Sequence, residues 1–265
     1  MPLTPFQERV AGLLAVHRTE DSYLAGGSAL HIAPNSKRYS NDLDYFHDSE
    51  ERVASAFAAD RSLLENKGFT VEVAMNQPGY IRAVVRKEKE ATKVEWARNS
   101  AWRFLPPVRD EVAGVVLHPV DLAINKLLAL VGRDEPRDFL DIMDADERIL
   151  SLGALCWAAA GKDPGYTPPL LLSLLRRRGH YRPEDFARLR LREPLDLPRL
   201  KERWLRALDE AEAFVARQPP EELGCLYYST QKREFVSDFV LGDPDVVPHF
   251  GRPGGILPTL GAPES

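Results

Sequence analysis

Residues 24–48 read LAGGSALHIAPNSKRYSNDLDYFHD, and the two ends of this stretch decide the fold. Tyr23-Leu24-Ala25 is a short apolar run that meets Gly26-Gly27, after which Ser28 to Ile32 resumes at helical spacing. That order reads as strand, tight glycine turn, helix. From Asn41 to Phe46 polar and apolar residues alternate as along a half-buried strand. Asp42 and Asp44 stand at i and i+2, so both carboxylates project from one face, within reach of a single hard cation. An Asp-x-Asp pair alone recurs by chance on exposed strands. The upstream turn adds weight to it: two glycines let the backbone close on a ligand, and Ser28 offers a hydroxyl and backbone N–H groups to phosphate.

Outward from this stretch the chain divides. Upstream, Thr4 as N-cap and Pro5 at the first helical position predict a helix to about Arg18, with Phe6, Val10, Leu13 and Leu14 at helical spacing. Downstream, Asp48-Ser49 caps a predicted helix from Glu50 to Asn66, closed by Lys67-Gly68, and strands follow over 69–74, 80–86 and 92–98. A helix and then an antiparallel run make a mixed α+β sheet domain over 1–117, not a doubly wound parallel sheet. From His118 the pattern turns helical, with helices expected over 119–131, 136–150, 168–178 and 198–217, a helical domain over 118–217. Residues 218–265 carry seven of the 21 prolines and six of the 17 glycines, and read as a loosely ordered tail in which 225–228 and 235–236 can still pair as a hairpin.

A net charge of -5 excludes a protein that coats nucleic acid by bulk charge and confines any such contact to a patch. The N-terminal segment reads as an amphipathic helix rather than a signal peptide, and no run reaches the roughly 20 apolar residues of a membrane span. Cys156 lies in an apolar run far from Cys225, as a buried thiol would. The expectation is a soluble cytoplasmic protein. No Gly-x-x-x-x-Gly-Lys-Ser/Thr and no Cys/His cluster is present, which removes the P-loop and zinc classes.

Two aspartates on a strand below a glycine turn suit Mg²⁺, which bridges phosphate oxygens while an acceptor hydroxyl displaces pyrophosphate from a nucleoside triphosphate. A third carboxylate on a neighbouring strand would serve a second metal or activate the acceptor, and Glu95 in Lys93-Val94-Glu95-Trp96 is the candidate; an exposed strand acid is its plainer reading. GGSAL with R-x-S-N-D-L-D-Y-F, from Gly26 to Phe46, resembles the signature of the polymerase-beta-like nucleotidyltransferases. HPVDLAINKLLALVGRDEPRDFLDI, from His118 to Ile142, resembles the second motif block of the AbiEii/AbiGii-type nucleotidyltransferases, toxins of bacterial toxin–antitoxin and phage-defence systems.

That resemblance implies a polymerase-beta-like fold completed by the helical domain, with Lys126 on the triphosphate and Asp138 or Asp141 closing the site from the helices. It also implies that Ser40 orients the loop before the aspartates and that Arg38 binds phosphate. Lys126, Arg133 and Arg137 near helix ends are suitable partners for a triphosphate, but Arg133-Asp134 and Arg137-Asp138 read equally as solvated ion pairs and Lys126 as a surface lysine.

Between Leu170 and Arg206 eleven Lys/Arg face five Asp/Glu. This basic stretch is either an RNA surface, with a tRNA acceptor end as the toxin family suggests, or a solvated helix face, or the dock of an acidic antitoxin. Tyr181 and Trp204 within it read as packing residues. The resulting expectation is transfer of a nucleoside monophosphate from an NTP to an acceptor. The alternatives are an antibiotic-type small-molecule nucleotidyltransferase and a non-catalytic scaffold, against which the retention of two like charges side by side argues.

Overall fold

A computed structural model describes residues 3–30, 32, 38–40 and 42–258; Asn41 and His31 fall outside that set. The described residues of Met1–Ala101, Pro106–Leu122 and Leu189–Glu193 form one compact unit, and those of Trp102–Leu105, Ala123–Arg188 and Pro194–Ser265 a second.

The first unit opens with α1 (Pro5–Leu14), capped by the Thr4 side chain on the Gln7 N–H with Gln7 answering on Thr4. The helix tightens into a 3₁₀ turn over Ala15–His17, short of Arg18, because Arg18 turns inward: it is buried and its Nε donates to the Leu14 carbonyl at 3.1 Å. Next come β1 (Ser22–Ala25), α2 (Gly26–Leu30), β2 (Asp42–His47), α3 (Glu50–Asn66), β3 (Thr70–Gln77), β4 (Tyr80–Lys87) and β5 (Glu90–Arg98). After β6 (Trp102–Arg103), which belongs to the second unit, β7 (Val108–Asp110) and β8 (Gly114–Val116) complete the first. Strands of three residues are too short to show alternation in sequence.

The seven-stranded sheet runs β3-β4-β5-β2-β1-β8-β7. β2 lies parallel to β5 and β1 parallel to β8, and the other neighbours are antiparallel, which makes the sheet mixed as expected for an α+β fold. Strand alternation divides its faces. Leu43, Tyr45, Val94 and Trp96 point to the buried side beneath α3, where Phe57 meets Trp96 edge-on at 5.0 Å between centroids. Asp42, Asp44, Lys93 and Glu95 occupy the other face.

The second unit contains most of α4 (Pro119–Arg133), then α5 (Pro136–Arg148), α6 (Leu152–Lys162), α7 (Pro168–Leu175), α8 (Pro183–Phe186) and α9 (Leu197–Arg217). Every residue of α6 from Leu152 to Ala160 is buried, so the helix has no polar face and no helical period to read in sequence. α9 is amphipathic, burying Trp204, Ala207, Leu208, Ala211 and Phe214.

The expectation of a loosely ordered C-terminal tail is corrected. Beyond a 3₁₀ turn at Pro220–Glu222, β9 (Leu226–Ser229) pairs with β10 (Glu234–Phe235) on one side and β11 (Val246–His249) on the other, and β12 (Arg252–Pro253) pairs with β6. Burial supplies the reason. Cys225, Leu226 and Tyr227 are buried, Trp157 of α6 donates its indole N–H to the Glu222 carbonyl at 2.9 Å, and Gly161 lies so near Gly224 that a Cβ there would be 2.3 Å from its carbonyl oxygen. Proline and glycine here build turns between paired strands.

Candidate active site

The parallel register of β2 and β5 sets Asp42 opposite Lys93 and Asp44 opposite Glu95. Asp42, Asp44 and Glu95 each bring a carboxylate oxygen to within 4.8 Å of the others, the only group of three or more His, Cys, Asp or Glu so placed among the described residues. Three hard oxygen donors without sulfur or imidazole form a set suited to Mg²⁺.

The chain around the cluster holds it in shape. Gly26 has φ +62°, and a Cβ there would lie 2.0 Å from Asp44 Oδ2, so the turn must be glycine for Asp44 to occupy its place. Gly27 is buried in α2. Ser28 is fully buried; its hydroxyl donates to the Ala25 carbonyl at 3.0 Å and accepts from the Asp44 N–H at 3.4 Å, so it ties the turn to β2. Ser40 donates to the Asp42 carbonyl at 2.9 Å, and Gln7 of α1 donates to the Ser40 carbonyl at 3.3 Å. These contacts tie Ser40 to the start of β2 and to α1. Arg38 is 4% exposed and its guanidinium donates to the Tyr39 carbonyl at 3.2 Å.

Three residues of this site escape sequence reading. Lys93 Nζ sits 2.7 Å from Asp42 Oδ2 and 3.0 Å from Glu95 Oε1. Burial alone would lower the Lys93 pKa, but hydrogen bonds and charge from Asp42 and Glu95 outweigh it and raise it above the ordinary lysine value. Arg82, the cross-strand partner of Glu95, donates to the same Oε1 at 3.0 Å. Tyr80 titrates above its usual value because it is partly buried and hydrogen-bonded to Glu95. The signal for Lys93 was its i, i+2 relation to Glu95; Arg82 and Tyr80 needed the strand register.

The remaining predicted residues gather in the second unit. Lys126 is 6% exposed, so it is not a surface lysine, and its Nζ lies 3.0 Å from Asp138 and 2.9 Å from Asp141. Arg133 donates to Asp138 as well, at 2.6 and 3.0 Å. Burial works to raise the Asp138 pKa, yet Arg133 and Lys126 together hold it below the usual carboxylate value. Both aspartates are therefore tied to Lys126, which explains why sequence alone could not choose between them. Arg137 keeps a buried Nε without a hydrogen-bond partner among the described residues.

The basic stretch is less bare than its composition. Arg176 pairs with Asp209 and Glu212, Arg178 with Asp134, Arg203 with Glu147 and Arg206 with Glu210, all acids outside 170–206. Residues Leu189–Glu193 leave the helical unit for the first: Leu191 bridges to Arg38, and the Tyr39 N–H donates to the Arg190 carbonyl at 3.0 Å. Tyr181 and Trp204 pack on Phe139 at 5.2 and 5.1 Å, in line with their packing role. Cys156 and Cys225 are buried free thiols, and no helix among the described residues is long and apolar enough to cross a membrane.

Comparison with curated proteins returned no match. The fold is similar to that of JHP933 from Helicobacter pylori (17% identity, TM-score 0.50, covering 80% of this chain and 92% of that one). It is likewise similar to MenT4, a nucleotidyltransferase toxin from Mycobacterium tuberculosis (18% identity, TM-score 0.52, covering 82% and 83%). At these identities the likeness concerns the fold. The family model described as nucleotidyl transferase AbiEii toxin of type IV toxin–antitoxin systems matches residues 10–222, and the chain belongs to that family as a toxin nucleotidyltransferase.

Proposed function

We propose that Asp42, Asp44 and Glu95 hold Mg²⁺ and that the protein uses it to move a nucleoside monophosphate from an NTP to an acceptor on RNA, tRNA being the acceptor the family resemblance suggests. The observation that carries this reading is the convergence of three carboxylates within 4.8 Å on one face of two parallel strands. When bound, the cation would offset the negative charge that builds on the phosphates as pyrophosphate leaves.

The chain's own residues do the rest. Gly26 lets the backbone approach the carboxylates, Ser28 and Ser40 fix the two aspartates, and the N–H groups of the Gly26-Gly27-Ser28 turn are offered to phosphate. The family resemblance puts Lys126 on the triphosphate, with Arg38, Arg133 and Arg137 as further cationic candidates, and Asp138 and Asp141 hold the lysine ammonium at 3.0 and 2.9 Å. The acceptor hydroxyl attacks the α-phosphorus, the bond to the bridging oxygen breaks, pyrophosphate departs and the hydroxyl proton passes to solvent. A cognate antitoxin is the protein partner that a type IV toxin–antitoxin assignment calls for.

The ion pairs that offset Arg176, Arg178, Arg203 and Arg206 favour a second reading, a small-molecule acceptor, because a paired arginine gives less to a phosphate backbone. One experiment separates the readings. The purified protein is incubated with each labelled NTP, Mg²⁺ and total RNA beside an Asp42→Ala/Asp44→Ala variant. Label on RNA with the native chain, reduced at least ~100-fold in the variant, is expected for loss of an electrostatic centre. Label on small molecules alone would move the acceptor, and equal labelling by the variant would end the metal-site reading.

A further inference from the structure

Lys93 alternates on β5 with the buried Val94 and Trp96, so its side chain shares a sheet face with the carboxylate cluster. Its ammonium reaches two of the three carboxylates at once, Asp42 Oδ2 at 2.7 Å and Glu95 Oε1 at 3.0 Å. A divalent cation held by the same three residues needs those lone pairs and the space between them. Two positive centres sharing them would repel, and a carboxylate oxygen engaged by an N–H at such distances is not available to a small hard ion at the same position. The Lys93 side chain is 36% exposed against 11% for Asp42 and 16% for Glu95, so it is more open to solvent than either carboxylate it contacts. Its four-carbon stem lets it swing outward without disturbing β5. Arg82 differs: its ion pair is with one of the three carboxylates, Glu95.

We infer that Lys93 is a resident counter-ion of the carboxylate cluster, one that draws Asp42 and Glu95 together and must be displaced for a divalent cation to bind, so that it sets the cation affinity of the site. This rests on the proposed metal role of the cluster. Lys93 is a positioning residue here: it acts through Asp42 and Glu95. The site thus keeps like charges balanced in the resting protein and responds to cation concentration through exchange of one positive group for another.

The test is a titration of the nucleotide-free full chain with Mn²⁺, followed by electron paramagnetic resonance of the free ion, for the native chain, Lys93→Met, Lys93→Gln, Arg82→Met and Asp42→Asn/Asp44→Asn. Circular dichroism confirms that each variant is folded. Lys93→Met and Lys93→Gln are expected to bind Mn²⁺ about tenfold more tightly than the native chain, the scale of two partly exposed ion pairs. Arg82→Met should change affinity much less. Equal gains for Arg82→Met and Lys93→Met would mean a general field effect and overturn the counter-ion role. Native-like affinity, or no binding, in both Lys93 variants while Asp42→Asn/Asp44→Asn lowers native binding would overturn it as well and leave the metal reading standing. Binding untouched by Asp42→Asn/Asp44→Asn would remove the metal reading and the inference together. A second readout is the ε-methyl carbon resonance of Lys93 in reductively methylated protein, assigned by its loss in Lys93→Arg: it should shift on addition of Mg²⁺, and a signal that stays fixed while Mg²⁺ binds at the cluster counts against displacement.

Discussion

Gly26 and Asp44 are one feature seen from two sides, since the missing Cβ of the first is where the carboxylate of the second lies. In Gly26→Ala the left-handed backbone costs roughly 1 kcal/mol and the new methyl forces Asp44 off its position. Nucleotide transfer should fall at least ~10-fold, as misplaced catalytic groups do, while the melting temperature moves only a few degrees. Transfer at the native rate would show that Asp44 need not stay where it is. His47, at the end of the same strand, is fully buried with neither ring nitrogen hydrogen-bonded among the described residues. Burial first, then the nearby Arg18 and Arg52 charges, depress its pKa from 6.5 to about 3. Between those values the unfolded chain binds the extra proton and the folded one does not, so this contribution to stability is complete above pH 6.5 and declines as pH falls. By pH ~5 the loss should reach about 2 kcal/mol. Urea unfolding of His47→Leu should lack that part of the slope; an unchanged slope would assign the pH dependence to other groups.

At the scale of elements, the seven-stranded sheet is braced from beneath by one residue of α3. Asp60 is wholly buried, accepting from Arg18 at 2.7 and 2.6 Å and from the Trp96 indole at 2.8 Å, with His17 Nδ1 also at 2.8 Å. It thereby joins α3, the chain after α1 and β5, whose Glu95 lies on the opposite face. Asp60→Asn leaves the Arg18 guanidinium buried without its countercharge, which should lower unfolding free energy by about 3 kcal/mol in urea titration. A loss near zero would mean that water or another acid compensates. The sequence shows α3 plainly through its Ser49 cap and the Val53, Ala56, Leu64 stripe, but an acid on that stripe reads as surface. Only its partners, 36 to 43 residues away, explain it. The site follows the same rule: Asp42 and Asp44 are legible because they are local, and Glu95 is a candidate because its strand is, but Arg82 and Tyr80 enter through register.

For the whole molecule, the C-terminal segment is part of the second unit's core. Deleting the chain from Pro219 uncovers α6 and removes Cys225, Leu226 and Tyr227, each almost fully buried. At roughly 1.5–3 kcal/mol for each large apolar side chain, the loss approaches the 5–15 kcal/mol that typically separates folded from unfolded domains. The truncated chain should lose helical circular dichroism signal, bind a hydrophobic dye and aggregate. A cooperative melt like that of the full chain would show instead that α6 covers itself.

The sequence by itself determined the mixed α+β class, the glycine turn and aspartate pair, the amphipathic helices and the family resemblance, because these are patterns within a few residues that periodicity and local chemistry fix. Tertiary structure alone decided that Lys93 sits among the carboxylates, that Lys126 holds both Asp138 and Asp141, that Arg176, Arg178 and Arg203 of the basic stretch pair with acids 33 to 56 residues away, and that a segment rich in proline and glycine is a sheet. Each of these depends on where a side chain far along the chain comes to lie, and charge counts and local propensity contain no term for that.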